Sequence, residues 1–373
     1  MHNNVYRGDY VFNNLKRYSP KVMREIENTL SKVKEEMLIM HFCGTHQYTI
    51  VRYGIDDYLR KFNIEVREGP GCPVCVTTTK EIEIALRLAR EGITVTTFGD
   101  LMKVPGATGS LSNVEGEVKV VYSIEDSVEY ARKSKDKEVV FVAVGFETTM
   151  PTTAAQLIDG MPENHYVLSF HKFTPPAMEA VLKSGEISLS GIILPGHVST
   201  IIGANLWRKY AKKYKIPMVV SGFEPLDVLV SIKILVDMIE NDVFDVFNEY
   251  IRSVTEEGNE SAKRIINEAF DVVDIEWRGF GLIESSGAEL KKEFEDNNAK
   301  KVFSDIISEV LEKDYPEPKG CKCGDIIRGI AVPYDCPLFG KACTPEHPVG
   351  PCMVSSEGAC SIVYKFKRAF NIF

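Results

Sequence analysis

Short apolar runs rich in β-branched residues recur along residues 37–223, and stretches of helical periodicity separate most of them. They read MLIMHF (37–42), IEVRE (64–68), ITVTTF (93–98), VKVVYS (118–123), EVVFVAVGF (138–146), YVLSFH (166–171), GIILPG (191–196) and MVVSGF (218–223). Strands of this kind, alternating with helices, bury both faces and form parallel sheets. The pattern predicts an α/β chain. Its span suits two small parallel-sheet, Rossmann-like domains better than one large sheet, with boundaries at 1–125 and 126–225. Residues 226–270 are helix-rich, WRGFGLIESSGAEL (277–290) is Gly-rich and irregular, and 299–313 is again helical. From YPEPKG (315–320) onward Gly, Pro and Cys dominate. A third unit, 226–373, is expected to join a helical segment to an irregular C-terminal domain that apolar burial alone could not hold.

In open α/β sheets, sites form beyond the carboxyl ends of strands. Polar motifs occupy that position repeatedly: CGTHQ (43–47), GPGCPVC (69–75), GFETT (145–149), HKFTPP (171–176), PGHVST (195–200) and GFEPLD (222–227). Together they describe one cleft edge. His46, beside Cys43, is a catalytic candidate as base, ligand or hydrogen-bond donor, and the candidate cleft residues are Glu147, Thr148, Thr149, His171, His197 and Glu224. Taken singly, the histidines also read as satisfied structural residues and the glutamates as helix caps.

Nine cysteines sharpen the reading. Cys43, Cys72 and Cys75 lie early, and Cys321, Cys323, Cys336, Cys343, Cys352 and Cys360 lie in the tail. Clustered cysteines without a secretory context point to metal or redox chemistry. GPGCPVCVTTTKE sets a C-x-x-C before threonines and a helical pattern. Its sulfurs should sit near a helix N-terminus, where the partial positive charge favours thiolate. Half of a zinc site is the competing reading. The tail lacks the paired short hooks of a zinc ribbon, and its long spacings in a Pro/Gly wrap suit a thiolate-bound iron–sulfur cluster. Cys323, Cys336, Cys343 and Cys352 are the chosen ligands, with Cys321 and Cys360 left as a disulfide or as alternates. Zinc plus a disulfide remains open.

Composition removes other classes. Lys and Arg number 44 against 53 Asp and Glu, giving a net charge of −9, which disfavours non-specific nucleic-acid binding and a polybasic membrane patch. No apolar run reaches bilayer length, and the start, MHNNVYRGDYVFNNLKRY, has no apolar signal segment, so a cytoplasmic protein is expected. Only Gln47 and Gln156 represent glutamine, a weak thermophile hint. GxGxxG, Walker A and GxSxG motifs are absent.

HFCGTHQ (41–47), EGPGCPVCV (68–76), GFETTMPTTA (145–154), FHKFTPPAM (170–178), LPGHVSTIIG (194–203), SGFEPLDVL (221–229) and the tail CKCGDIIRG…GAC (321–360) together resemble the HypD family of [NiFe]-hydrogenase maturation proteins, over nearly the whole chain. Gln47 departs from the family, where Glu is common; the Cys and His of that block are intact. The resemblance implies a scaffold rather than a free-standing enzyme. It implies iron held with a HypC-like chaperone, cyanide delivered by a HypE-like donor, and assembly of an Fe(CN)2CO group. It also implies iron-site roles for Cys43, Cys72 and Cys75, and a [4Fe–4S] cluster in the tail beside a thiol pair, as in ferredoxin–thioredoxin reductase. A monomer entering a heteromeric complex is expected. The alternative is a ferredoxin-dependent thiol–disulfide oxidoreductase, which has no use for Cys43.

Overall fold

The computed structural model describes Leu15, Arg17 and residues 19–367. The opening segment 1–14, on which the absence of a signal segment was read, lies outside the described residues. Among the described residues, nine strands form two parallel sheets. The first has the order β2 (Ile64–Glu68), β1 (Met37–His41), β7 (Gly191–Pro195), β8 (Met218–Ser221), β9 (Val246–Asn248). The second has the order β4 (Val118–Val120), β3 (Thr94–Thr97), β5 (Val139–Gly145), β6 (His165–His171). The expected α/β class is the observed one. Strands β5, β6, β7 and β8 are buried along their whole length, which is why they read as unbroken apolar runs.

The sheets cut across the expected boundary at 125/126. The chain lays down β1 and β2, builds all of the second sheet from β3 to β6, and then returns to the first with β7 to β9. Ile39, Met40 and His41 pair with Gly191, Ile192 and Ile193. Local pattern reveals a strand but not its partner, and this pairing spans about 150 residues of sequence.

The segment 270–290 also differs from expectation. It is an antiparallel hairpin, β10 (Phe270–Trp277) and β11 (Gly281–Leu290), where helix and irregular chain were expected. Gly279 and Gly281 take left-handed φ values of 81° and 73° at its turn, so the glycines mark a tight turn rather than disorder. The hairpin lies against β6, with the Ser169 hydroxyl donating to the Ala288 carbonyl at 2.5 Å.

One apolar core runs from Met40, Phe42 and Ile192 in the first sheet, through Val76 and Ile82, to Val140 and Phe146 in the second, and on to Cys323, Cys352 and Phe366 in the tail. A second core lies between the first sheet and the helices Pro20–Leu30 and Pro225–Glu240. Among the described residues, no helix is long and apolar enough to cross a membrane.

Candidate functional site

Strands β1 and β2 are parallel neighbours, so their carboxyl-end loops emerge side by side. The Gly69 amide donates to the His41 carbonyl at 2.8 Å, and the Gly44 amide to the Gly71 carbonyl at 3.4 Å. A Cβ on Gly71 would run into the backbone of Phe42 and Cys43; only glycine lets the two loops touch. This contact brings CGTHQ against GPGCPVC. Cys72 and Cys75 form a disulfide with Cα atoms 5.2 Å apart. Cys72 opens the one-turn helix Pro73–Val76, its sulfur accepting from the Cys75 amide at 3.1 Å. Thr78 and Glu81 instead cap the following helix, Thr79–Arg90, with a reciprocal capping box. Pro73–Val76 packs against β5, so the pair stands where the two sheets meet.

The tail covers this site. The Ser355 hydroxyl lies 3.4 Å from the Cys72 sulfur, and Glu357 lies against Gly44, where a Cβ would clash with it. Asp100, just beyond β3, accepts from Ser355 Oγ at 3.4 Å and from the Ser356 amide and hydroxyl at 3.3 and 3.0 Å. Cys43, Cys72 and Cys75 are 7%, 1% and 0% exposed. Burial, reinforced by nearby Glu357, pushes the Cys43 thiol up to about 12. Burial, and then Asp100, raises Glu357 itself.

His46 is buried, and its Nε2 donates to the Gly222 carbonyl at 2.9 Å, leaving Nδ1 without a hydrogen-bond partner. Desolvation lowers it to about 3, so it is a neutral imidazole. Phe223 stacks with both His46 (centroids 4.7 Å) and the exposed His197 (3.9 Å). Glu224 is exposed at the start of the helix Pro225–Glu240. Gln47, the family departure, accepts from His41 Nε2 at 2.8 Å. Burial takes His41 down to about 4, so an uncharged Gln faces an uncharged His.

The six strand-end motifs therefore divide between two edges. Four belong to the first sheet. Glu147, Thr148, Thr149 and His171 belong to the second, and two of these serve the backbone. The Glu147 carboxylate accepts from the amide and hydroxyl of Thr174, both at 2.8 Å. His171 Nδ1 donates to the Gly145 carbonyl at 3.4 Å and its Nε2 accepts from the Thr153 hydroxyl at 3.0 Å. Thr148 is exposed and Thr149 half-buried at the next helix start. Beside His171, Lys172 makes a buried ion pair with Glu81 at 2.5 Å.

The tail thiols converge. Cys323 is hydrogen-bonded to the thiols of Cys321, Cys352 and Cys360, which hold it well below the usual thiol range. The same contacts, and burial, raise its three neighbours. Cys321 and Cys360, left from sequence as a disulfide or as alternate ligands, reach the same pocket and are not joined as a disulfide. A Cβ on Gly350 would lie 2.6 Å from the sulfurs of both Cys321 and Cys323. The Val349 amide donates to the Cys343 sulfur at 3.3 Å. Among the described residues, no three His, Cys, Asp or Glu are arranged to hold a single ion. Four soft thiols in mutual contact, with Cys336 and Cys343 as electrostatic neighbours, fit a thiolate-bound cluster in donor chemistry.

Sequence reasoning missed several residues here. Asp100 follows β3 and was available to the strand-end rule. Glu357 sits inside the tail motif. Glu68, 4% exposed, has neither carboxylate oxygen hydrogen-bonded. Burial raises it well above its ordinary value, with Glu357 and Cys323 as its charged neighbours. Nothing in the sequence marks Glu68, because remote segments bury it.

Residues 17–367 match the family model for HypD, described as the hydrogenase formation hypA family. A Methanocaldococcus jannaschii protein named for hydrogenase expression and formation is 47% identical over 347 residues, covering 91% of this chain and 95% of its own. The hydrogenase maturation factor HypD of Cupriavidus necator is 39% identical over 349 residues (89% and 90%). That of Escherichia coli is 37% identical over 355 (93% and 94%).

Proposed function

The chain belongs to the HypD family of hydrogenase maturation factors, and from that premise we propose that it is the scaffold on which an iron atom receives its cyanide and carbonyl ligands. The observation that carries the proposal is the joining of buried Cys43 to the Cys72–Cys75 disulfide through the Gly71 contact, at the meeting of two sheets. Iron bearing cyanide and carbon monoxide is a soft centre that favours thiolate donors, and Cys43, Cys72 and Cys75 are the donors at hand. The iron is cargo, held jointly with a HypC-like chaperone. A HypE-like partner presents cyanide as a thiocyanate. The dithiol form of Cys72/Cys75 cleaves it with balanced electrons: the S–CN bond breaks, two thiol hydrogens yield a free thiol and hydrogen cyanide, and the pair closes as the disulfide. His46, neutral and with a free Nδ1, can accept a hydrogen bond at that edge and orient a thiol there. Loop 355–358 keeps water away from Cys43 and Cys72.

In the tail, Cys323, Cys336, Cys343 and Cys352 would hold a [4Fe–4S] cluster, with Cys321 and Cys360 as alternates. When bound, such a cluster supplies electrons one at a time.

The test is expression of the chain with its HypC-like partner, anaerobic purification and infrared spectroscopy. Wild type should carry bands of iron-bound cyanide and carbon monoxide. Cys43→Ala, Cys72→Ala and Cys75→Ala should each lose them while remaining folded. Unchanged bands in Cys43→Ala would overturn the scaffold reading and favour the thiol–disulfide oxidoreductase, which the disulfide alone also supports.

A further inference from the structure

Arg278 is a buried arginine that the proposed chemistry does not use. It is 2% exposed and follows Trp277 at the end of β10. Its amide donates to the Val76 carbonyl at 2.9 Å, and its Nε to the Thr77 carbonyl at 2.9 Å. Both acceptors lie just after Cys75. Nη1 reaches Thr79 Oγ1 at 3.3 Å and pairs with Glu317. Nη2 is buried without a hydrogen-bond partner. On its other side, Gly279 presses against Gly324, so closely that a Cβ there would lie 2.7 Å from the Gly324 Cα. Gly324 follows Cys323. Arg278 and Gly279 thus join the chain leaving the C-x-x-C, held by the guanidinium, to the first tail thiols, met by the Gly279 backbone. Trp277 anchors this geometry by stacking on Phe146 and donating from Nε1 to Ser286 Oγ at 2.8 Å.

The charge of Arg278 is poorly compensated by protein carboxylates. Glu317 has a side chain 44% exposed, so water screens it. Glu81 is already committed to Lys172. Burial works against the guanidinium charge; the thiols of Cys323, Cys352 and Cys321 work for it, ahead of Glu81. A desolvated cation needs an anion close by, and the anions that this place offers are tail thiolates.

We infer that Arg278 is the electrostatic partner of the tail's thiolate centre and raises its affinity for electrons. The inference rests on the reading of the tail as an iron–sulfur site. Each one-electron reduction of such a centre adds a negative charge, with the iron as the reduced element and a low-potential one-electron reductant, dithionite in the titration, as the source. A fixed buried cation stabilises the reduced form more than the oxidised form, and water cannot take its place.

The experiment is a potentiometric titration of the anaerobically reconstituted full-length chain, followed by optical and EPR signals of the cluster. Iron and sulfide are assayed in every sample. In Arg278→Gln, the reduced-to-oxidised ratio at a fixed potential should fall at least tenfold, about 59 mV for a one-electron couple. Arg278→Lys keeps the charge and should stay near wild type. Glu317→Gln frees the arginine of its partner and should move the ratio the other way. A purely structural role predicts no such opposite signs. Equal midpoints in wild type and Arg278→Gln, or the same direction of shift in Arg278→Gln and Glu317→Gln, overturn the inference while leaving the cluster intact. A wild-type chain that takes up no iron and sulfide overturns the reading of the tail and the inference with it. If Arg278→Gln fails to fold, Glu317→Gln decides alone: its carboxylate is at the surface, and an unchanged or lowered ratio refutes the role.

Discussion

Glu147 offers a direct quantitative test of how the second sheet holds its carboxyl-end loops. Its carboxyl group is buried, at 2% exposure, and is held by the amide and hydroxyl of Thr174. Burial raises it from the ordinary 4.5 to about 7, despite the opposing hydrogen bonds from Thr174. The fold therefore favours the protonated carboxyl. That preference stabilises the chain fully below about pH 4.5 and is lost as pH rises through 7, because the unfolded chain releases its proton first. At about 1.36 kcal/mol for each pH unit of displacement, the loss is about 3 kcal/mol. Glu147→Gln mimics the protonated form, with one acceptor and one donor, and does not titrate. In guanidinium unfolding from pH 4.5 to 7.5, the stability of wild type relative to Glu147→Gln should fall by about 3 kcal/mol over that window. Native-state exchange of the Thr174 amide should report the same change locally, since that amide is the group held. Parallel pH profiles for the two proteins would refute the argument. A difference growing with pH would reverse its sign.

Gly71→Ala should leave both sheets folded but separate the Cys43 and Cys72 loops, costing about 1–3 kcal/mol in unfolding free energy and abolishing the iron binding proposed for the three cysteines. Lys172→Met strands Glu81 in the core behind the C-x-x-C helix and should cost about 3–5 kcal/mol by denaturant unfolding. Adding Glu81→Gln should recover much of that loss, so the two single changes will not be additive. Cys43, with its thiol pushed up to about 12, should react with iodoacetamide about tenfold faster per pH unit from pH 8 to 10, with no plateau. A plateau in that range would contradict its burial against Glu357.

The strands were legible because parallel strands buried on both faces need no alternation, and GIILP or VVFVAVG can be little else. Their division into sheets was not legible. Met40 and Ile192 are both apolar, and nothing local records that they are partners. The hairpin at 270–290 escaped for a different reason. Its β10 strand is buried only at Phe270 and Trp277, with Asp271, Val272, Asp274 and Glu276 exposed between, so a strand lying on the surface reads as polar chain. Cysteine chemistry was visible from spacing and neighbours. Glu68 and Arg278 carry no signal of their own, and a glutamate or arginine in sequence is normally solvated. Their chemistry comes from burial, and burial is supplied by remote segments: Glu357 beside Glu68 is 289 residues away, and Thr77 on Arg278 is 201 residues away.

The same reasoning explains why an irregular tail belongs to this α/β chain. A parallel sheet exposes its carboxyl-end loops at an edge, and water reaches an edge unless something covers it. Here the cover is residues 355–358, fixed by Asp100 just beyond β3 and by close packing of Gly44 against Glu357 and of Gly358 against Cys352. Gly358 touches the Cys352 backbone so closely that a Cβ would clash, which ties the cover directly to the tail thiols. The C-terminal helix Ala359–Lys367 then locks onto the first sheet's helices through Lys367 and the carboxylates of Asp56 and Asp57. The cover of Cys43 and Cys72, the tail-thiol pocket and the terminal helix are thus consecutive parts of one strap. Cys43, Cys72 and Cys75 are almost fully enclosed beneath it, so their burial depends on a segment that begins 283 residues beyond Cys72.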